Sequence, residues 1–293
     1  MLEVRNLTRR YGDKTAVDNV SFTVGDGQMI GFVGGNGAGK TTTMRMIMGL
    51  LAPDAGEVLW QDQKADFDRV SRFGYMPEER GLYPKQPIVE QLVYLGRLKG
   101  MDASAARAEA TDLLTRFGLG ERLKDKLETL SLGNQQRVQI AAAVMANPSC
   151  LILDEPFSGL DPAAIDEMAA LLRQRAQAGI PVLFSSHQLD LIDRLCDGLV
   201  ILANGRVVAQ GSKDELESRG RVRHRLVTDG DTGWVREMRG VQVDDVDGNE
   251  ALLEFADDAA RRAVLTEALQ RGEVYELGRV RPTLSEIYRE VTA

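Results

Sequence analysis

The stretch "GGNGAGKT", Gly34 to Thr41, limits what this 293-residue chain can fold into more than any other. It fits the spacing G-x-x-x-x-G-K-[ST]. It also lies between an apolar strand-like run, "MIGFVG", and a helical segment, "KTTTMRMIMGLL", that must stop before Pro53. Gly34, Gly37 and Gly39 let the backbone curl without Cβ clashes, so that successive amides point inward at phosphate oxygens. Lys40 supplies a cation for the terminal phosphates, and the Thr41 hydroxyl is of the kind that ligates magnesium. The helix beginning near Lys40 adds its positive end, about 0.3–1 kcal/mol toward an anion at an exposed site. A strand, this loop and then a helix read together as a phosphate-binding corner.

The remainder of the chain agrees with such a corner. "CLILD", "VLFSS" and "GLVILANG" are short apolar runs, each followed by a helix-like or turn-like segment, which implies a mainly parallel sheet with helices on its faces. The first residues, "LEVRNLTRRYGDKTAVDNVSFTV", read as strands separated by turns. From Pro87 to Pro148 the pattern is helical, an insertion between core strands. Beyond about residue 217 a small α+β unit is expected, with strands in "RVRHRLVT", "VQVDDV", "ALLEFA" and "EVYELGRV", a helix in "DDAARRAVLTEALQRG" and a final helix in "PTLSEIYREV". The domain reading is therefore 1–217, with a helical subdomain at about 87–148, and 218–293.

Composition excludes several function classes. A net charge of −8 argues against a nucleic-acid partner, because a sequence-independent grip on phosphates needs clustered Lys and Arg. The two cysteines, Cys150 and Cys196, sit in apolar surroundings and imply no disulfide framework. No signal peptide is expected, and no apolar run approaches the roughly 18 residues of a membrane span. The expectation is a cytosolic chain.

Three further segments carry chemistry. "CLILDEP" is an apolar strand, expected to end at Pro156, that delivers two carboxylates. Asp154 is placed to hold magnesium directly or through water, and Glu155 to polarise the water attacking a γ-phosphate. "SSHQLD" puts His187 after the next strand, on the side where ligands bind in open α/β sheets. His224, in the tail, reads as structural. In "LETLSLGNQQRVQIAAAVMANP", Ser131 is a natural cap for a helix that stops at Asn147-Pro148, and Gly133 with the first helical amides makes a second anion site. The chain already has a phosphate loop of its own, so this second corner is expected to serve a nucleotide held by another subunit.

In this order the motifs resemble those of the ATP-binding-cassette ATPases, from Leu2 to about Gly211. The resemblance implies a P-loop NTPase fold, RecA-like with a mainly parallel sheet, an antiparallel β-subdomain and a helical insertion, here followed by the small α+β domain. It implies ATP and Mg2+ as cofactors and two cassettes closing head to tail on two ATPs. Tyr11 matches the aromatic that stacks on adenine. Gly34, Gly35, Asn36, Gly37, Ala38, Gly39, Lys40, Thr41 and Thr42 match the phosphate loop. Thr41, Glu78 and Asp154 form the metal set, and Glu155 and His187 match the catalytic glutamate and switch histidine. Ser131, Leu132, Gly133, Asn134 and Gln135 match the signature segment that meets the partner's nucleotide, and Asp161 in "SGLD" matches the loop at the dimer seam.

Two departures stand out. The usual signature "LSGGQ" reads "LSLGN" here, and Leu132 either packs at the closed seam or faces solvent. Glu78, in "FGYMPEERGLYP", replaces the usual glutamine and puts a carboxylate near magnesium. The combination of these segments with a short tail resembles the branch of sodium-extrusion and drug-export ATPases. The implied function is the ATP-hydrolysing subunit of an ABC transporter, an exporter, working with a second copy of itself or a related cassette and with a separate transmembrane permease. It would then be held at the inner face of the cell membrane through that partner. The docking surface is expected at Arg80 to Tyr94, including Leu82 and Tyr83, and the tail is expected to stabilise the pair or regulate it. The competing reading is a cassette ATPase driving a non-transport assembly or cell-envelope process. A GTPase is excluded by the missing N-K-x-D motif, a repair ATPase by the short helical stretch, and a translation-associated protein by the single phosphate loop.

Overall fold

A computed structural model describes residues 1–79, 81–219 and 222–292. The chain divides into two compact units, one running to Lys213 and the other from Asp214 to Val291.

The first unit contains two sheets. In the smaller, four strands run in the order β2-β1-β4-β5, with β1 at Leu2–Tyr11, β2 at Lys14–Val24, β4 at Ala55–Trp60 and β5 at Gln63–Lys64. All the pairings are antiparallel. Leu2, Val4, Leu7, Val20, Phe22 and Val24 bury one face of it, while charged residues such as Arg5 and Arg10 remain exposed. The larger sheet has six strands. Its members are β3 (Met29–Gly34), β6 (Gly74–Met76), β7 (Leu151–Leu153), β8 (Val182–Ser185), β9 (Gly198–Ala203) and β10 (Arg206–Ser212), in the order β10-β9-β3-β8-β7-β6. β10 is an antiparallel edge, and the other neighbours pair in parallel. Every residue of β3, β7 and β8 is buried. That is the pattern of strands covered on both faces, and it explains why these runs are continuously apolar rather than alternating. The Phe22 and Phe32 rings, 5.2 Å apart, join the two sheets in one core.

Helices α1 (Lys40–Ile47), α2 (Phe67–Val70), α6 (Pro162–Gln177) and α7 (Leu189–Leu195) connect the strands, while α3 (Ile88–Leu98), α4 (Ala103–Arg116) and α5 (Leu132–Val144) form the helical stretch. Several stops differ from those the sequence suggests. α1 ends well before Pro53, because Gly49 takes a left-handed backbone (φ 66°) at its end. α5 ends at an extended Met145, followed by left-handed Ala146 and Asn147. β7 stops at Leu153, three residues before Pro156. The chain turns there because Glu155 is itself left-handed (φ 51°).

α3 and α4 pack on each other and on α5, but the body of α5 also lies against β6 and β7. The helical stretch is thus anchored to the sheet through its last helix. Gly74 sets how closely they approach, since a Cβ there would lie 2.1 Å from the Ala143 carbonyl oxygen.

The second unit is α+β. It comprises α8 (Lys213–Arg219), β11 (Arg223–Thr228), β12 (Val241–Asp247), β13 (Glu250–Phe255), α9 (Asp258–Arg271), β14 (Val274–Val280) and α10 (Leu284–Thr292). An antiparallel sheet ordered β12-β13-β11-β14 packs against α9 around Leu226, Leu253, Val264 and Ala268. His224 lies against the Phe255 ring, 4.9 Å between centroids. Burial, together with the charges of Arg261 and Arg279, holds its imidazole below the usual value.

The close contact at Gly74 generates a stability test. Gly74→Ala is expected to lower unfolding free energy by about 1–3 kcal/mol in urea denaturation, the usual range for overpacking. An unchanged midpoint would show that α5 does not press on β6.

Candidate functional site

β3 runs into the loop at Gly34, and α1 begins at Lys40 directly after it. Gly39, the residue before the helix, has φ 104°, and a Cβ there would stand 2.7 Å from the Ala16 carbonyl oxygen. Backbone angle and space therefore both require glycine. The Lys40 ammonium is nearly buried and donates to the Gly34 carbonyl at 2.7 Å. This folds the side chain back over the loop, with its charge facing the curled backbone.

A cavity of about 410 Å³ opens at this loop. Tyr11, Lys14, Ala16, Asn36 through Thr42, Glu78, Asp154 and Glu155 line it. It therefore brings together the sequence-derived loop residues from Asn36 onward, the aromatic and all three members of the metal set. Gly34 and Gly35 form the loop's first arm. Tyr11 is half exposed, with the Arg9 guanidinium 5.2 Å from its ring centroid. Its ring can present a flat face to a base while Arg9 steadies it.

The acidic end of the cavity is built on strand register. Leu153 of β7 pairs with Phe184 of β8, which sets Asp154 beside Ser185. The Ser185 hydroxyl donates to Asp154 Oδ1 at 2.5 Å and accepts from the Glu155 amide at 2.8 Å. One fully buried hydroxyl thus fixes both carboxylate residues. The second oxygen, Asp154 Oδ2, is buried and has no hydrogen-bond partner. A buried carboxylate oxygen of this kind is costly unless a cation or donor satisfies it. Burial, and then the Asp154 charge, push the Tyr75 phenol above its ordinary pKa. Across the cavity the Thr41 hydroxyl donates to Glu78 Oε2 at 3.4 Å.

These oxygens suit a hard divalent cation such as Mg2+, which usually takes one or two carboxylates and fills its remaining positions with phosphate oxygens and water. Among the described residues no cluster of three or more His, Cys, Asp or Glu side chains is arranged to hold a metal by itself. The donor set therefore fits an ion that arrives with a polyphosphate.

Glu155 places Oε2 3.0 Å from His187 Nδ1, with the histidine largely exposed and the glutamate mostly covered. The pair can hold a water and shuttle its proton. Ser131, Leu132, Gly133, Asn134 and Gln135 do not line this cavity. They form the first turn of α5, where the Ser131 hydroxyl accepts from the Asn134 amide at 3.4 Å as an N-cap. Leu132 is 62% exposed, so within one chain it faces solvent. Asp161 caps α6 through the Ala164 amide at 2.8 Å, and its other oxygen lies 3.7 Å from Arg137. Of the expected docking surface, Arg80 lies outside the described residues. Tyr83 and Tyr94 are about half exposed.

Comparison with known proteins shows the family. Residues 17–158 match the ABC transporter family, and residues 211–292 match the family described as ATP-binding protein DrrA1-3-like, C-terminal domain. An uncharacterized ABC transporter ATP-binding protein of Bacillus subtilis, YhaQ, is 36% identical over 291 residues, covering 99% of this chain and 98% of that protein. The chain belongs to the ABC transporter ATP-binding proteins. It is an ATPase of that family, with the family's cassette fold. The Nod factor export ATP-binding protein I of Burkholderia lata is 38% identical over 219 residues, covering 73% of this chain and 72% of its own. A solved cassette, dimeric and in a post-hydrolysis state bound to ADP and Pi, matches 72% of this chain and 98% of its own length, with TM-score 0.66 and 25% identity.

Ser185 escaped the sequence reading, because a serine at a strand end carries no motif of its own. Only the register of β7 and β8 reveals it. Ser185→Ala is expected to lower ATPase kcat at least about tenfold, since it unseats both carboxylate residues, while nucleotide affinity by fluorescence titration changes less than about threefold. Turnover within twofold of the parent would remove the positioning role.

Proposed function

We propose that this ABC ATPase works as a head-to-tail pair in which each nucleotide is held by the phosphate loop of one chain and the signature turn of the other. The observation that carries this reading is the separation of two phosphate-binding corners within one chain. One corner lines the cavity, while Ser131, Leu132 and the first amides of α5 do not, and Ser131 and Leu132 are exposed. A capped helix start with open amides is a fitting anion contact, and in a pair it would meet the partner's nucleotide. Tyr11 would stack on adenine, while the loop from Gly34 to Thr42 would wrap the phosphates. Lys40 would swing from the Gly34 carbonyl to the terminal phosphates.

Thr41, Asp154 and Glu78 would hold Mg2+, which supplies charge neutralisation on the phosphate oxygens. Glu155 would accept the proton of the attacking water, and His187 would hold Glu155 in place and contact the γ-phosphate. ATP would close the pair because its phosphates are contacted from both chains. Hydrolysis would remove those differential contacts and reopen it.

No helix among the described residues is long and apolar enough to cross a membrane. Work on a transported molecule would therefore pass to a separate membrane-spanning subunit, with this chain held at the membrane's inner face. Residues 80–94, with Leu82 and Tyr83, would provide the docking face. The likeness to a Nod factor export protein favours an exporter over the alternative of a non-transport or cell-envelope assembly. The tail, residues 218–293, would stabilise the pair or regulate it.

Glu155→Gln keeps the shape and removes the base. It is expected to lower hydrolysis by two or more orders of magnitude, within about the range of general-base loss, while ATP shifts the chain from monomer to dimer in sedimentation. Near-parental turnover, or a chain that stays monomeric with ATP bound, would overturn the reading.

A further inference from the structure

Glu155 is a non-glycine residue held in a left-handed backbone, at φ 51°. Such a conformation persists only when its surroundings over-determine it. Two side chains do so here. Ser185 holds the amide side, accepting from Glu155 N at 2.8 Å. The other side is held by Gln136, whose Nε2 donates to the Glu155 carbonyl and to the Pro156 carbonyl, both at 3.0 Å. The Glu155 carbonyl also accepts from the Ser158 amide at 3.2 Å, closing the turn.

Gln136 lies on α5, one turn beyond its cap at Ser131. The same face of α5 touches the turn at two more points. A Cβ on Gly133 would lie 3.0 Å from the Gly159 carbonyl oxygen, a tight contact that marks how closely the helix approaches the turn. Arg137 reaches Asp161 at 3.7 Å and donates to the Phe117 carbonyl at 2.8 Å. These contacts tie the first turns of α5 to the 155–161 segment. Gln136 is the member that reaches the backbone of Glu155 itself.

We infer that Gln136 is a positioning residue for hydrolysis, linking the exposed signature turn of α5 to the left-handed backbone of Glu155 in the same chain. The inference rests on the proposed roles of Glu155 and of the signature turn. On that reading, contact between Ser131 and the partner's nucleotide sets the position of α5. Gln136 carries that position to the carboxylate serving the chain's own nucleotide. Each site then senses whether the other is filled, through the two direct hydrogen bonds of Gln136. Gln136 does not line the cavity, so on this reading its loss reaches turnover through Glu155.

Three single variants of the full chain test this, with Glu155→Gln measured alongside. Gln136→Met keeps the length and removes the donor. Gln136→Glu keeps the shape and turns acceptor oxygens toward two carbonyls. Gln136→Lys restores a donor of similar reach. Gln136→Met is expected to lower kcat about tenfold, Gln136→Glu further, and Gln136→Lys less than threefold. The KM for ATP and the ATP-driven dimer are expected to stay within twofold in all three, because a small misplacement of a reacting group costs rate rather than affinity. Equal losses of kcat in the Met and Lys variants would show that the donor is irrelevant and would overturn the inference. So would a Met variant with parental kcat. A Met variant whose kcat and ATP affinity fall together would reduce Gln136 to a packing role. If Gln136→Met turns over normally while Glu155→Gln is inactive, the inference alone fails. If Glu155→Gln remains active, the reading beneath it fails as well.

Discussion

The whole site depends on the register of three parallel strands. Phe32 of β3 pairs with Ser185 of β8, and Leu153 of β7 pairs with Phe184. These pairings bring the end of β3, where the phosphate loop begins, level with Asp154 and Ser185. A slip of one residue would turn Asp154 to the other face and take Ser185 from it. The register is held because all three strands are buried on both faces, so no slipped pairing leaves their side chains equally packed. Glu155 then takes its direction from the left-handed turn that ends β7, and α1 takes its start from Gly39. The positions of the chemical groups follow from strand pairing first and from local loop geometry second.

Much of this was legible in the sequence, for identifiable reasons. The phosphate loop declares itself because only glycine accepts the angle and the space at positions such as Gly39, and because a strand and a helix flank it. Asp154 and Glu155 become legible because two carboxylates close an apolar run in a chain that already carries a phosphate loop upstream. The parallel sheet was visible in continuous apolar runs, and the tail's strands in their flanking turns. Ser185 and Gln136 were not legible. A serine at a strand end and a glutamine in a helix are common residues, and their roles come from neighbours far away in sequence. Helix and strand stops were misread for a related reason. Proline marks where an element cannot continue, but Gly49 and Glu155 end theirs earlier through left-handed backbone, and a glutamate gives no hint of that.

The cavity holds most of the chemical groups that a nucleotide needs. It offers a loop of amides, a lysine, an aromatic face, and a buried carboxylate oxygen with no partner. The turn at Ser131 and Leu132 does not line it. Under the proposed arrangement a second copy would bring its own turn to the cavity. Leu132, 62% exposed in one chain, would then become part of a seam. A leucine at that position would add apolar contact where glycine offers none, and Asn134 would keep the amide function one methylene shorter. The tie from α5 to Glu155 through Gln136 gives such a pair a way to make hydrolysis at one nucleotide depend on the other.

The central claim, that a working site needs the phosphate loop of one chain and the signature turn of another, is tested most directly by mixing two inactive variants. Lys40→Ala disables the loop in both sites of a pair, and Ser131→Arg blocks both signature turns. Each alone should be inactive. In an equal mixture, half the pairs combine the two chains and contain one intact site, so about a quarter of parental single-turnover hydrolysis should return with independent sites, and about tenfold less, still above either component, where the tie through Gln136 makes one site depend on the other. A mixture as inactive as its components, or a Ser131→Arg chain that hydrolyses ATP unaided, would contradict the account.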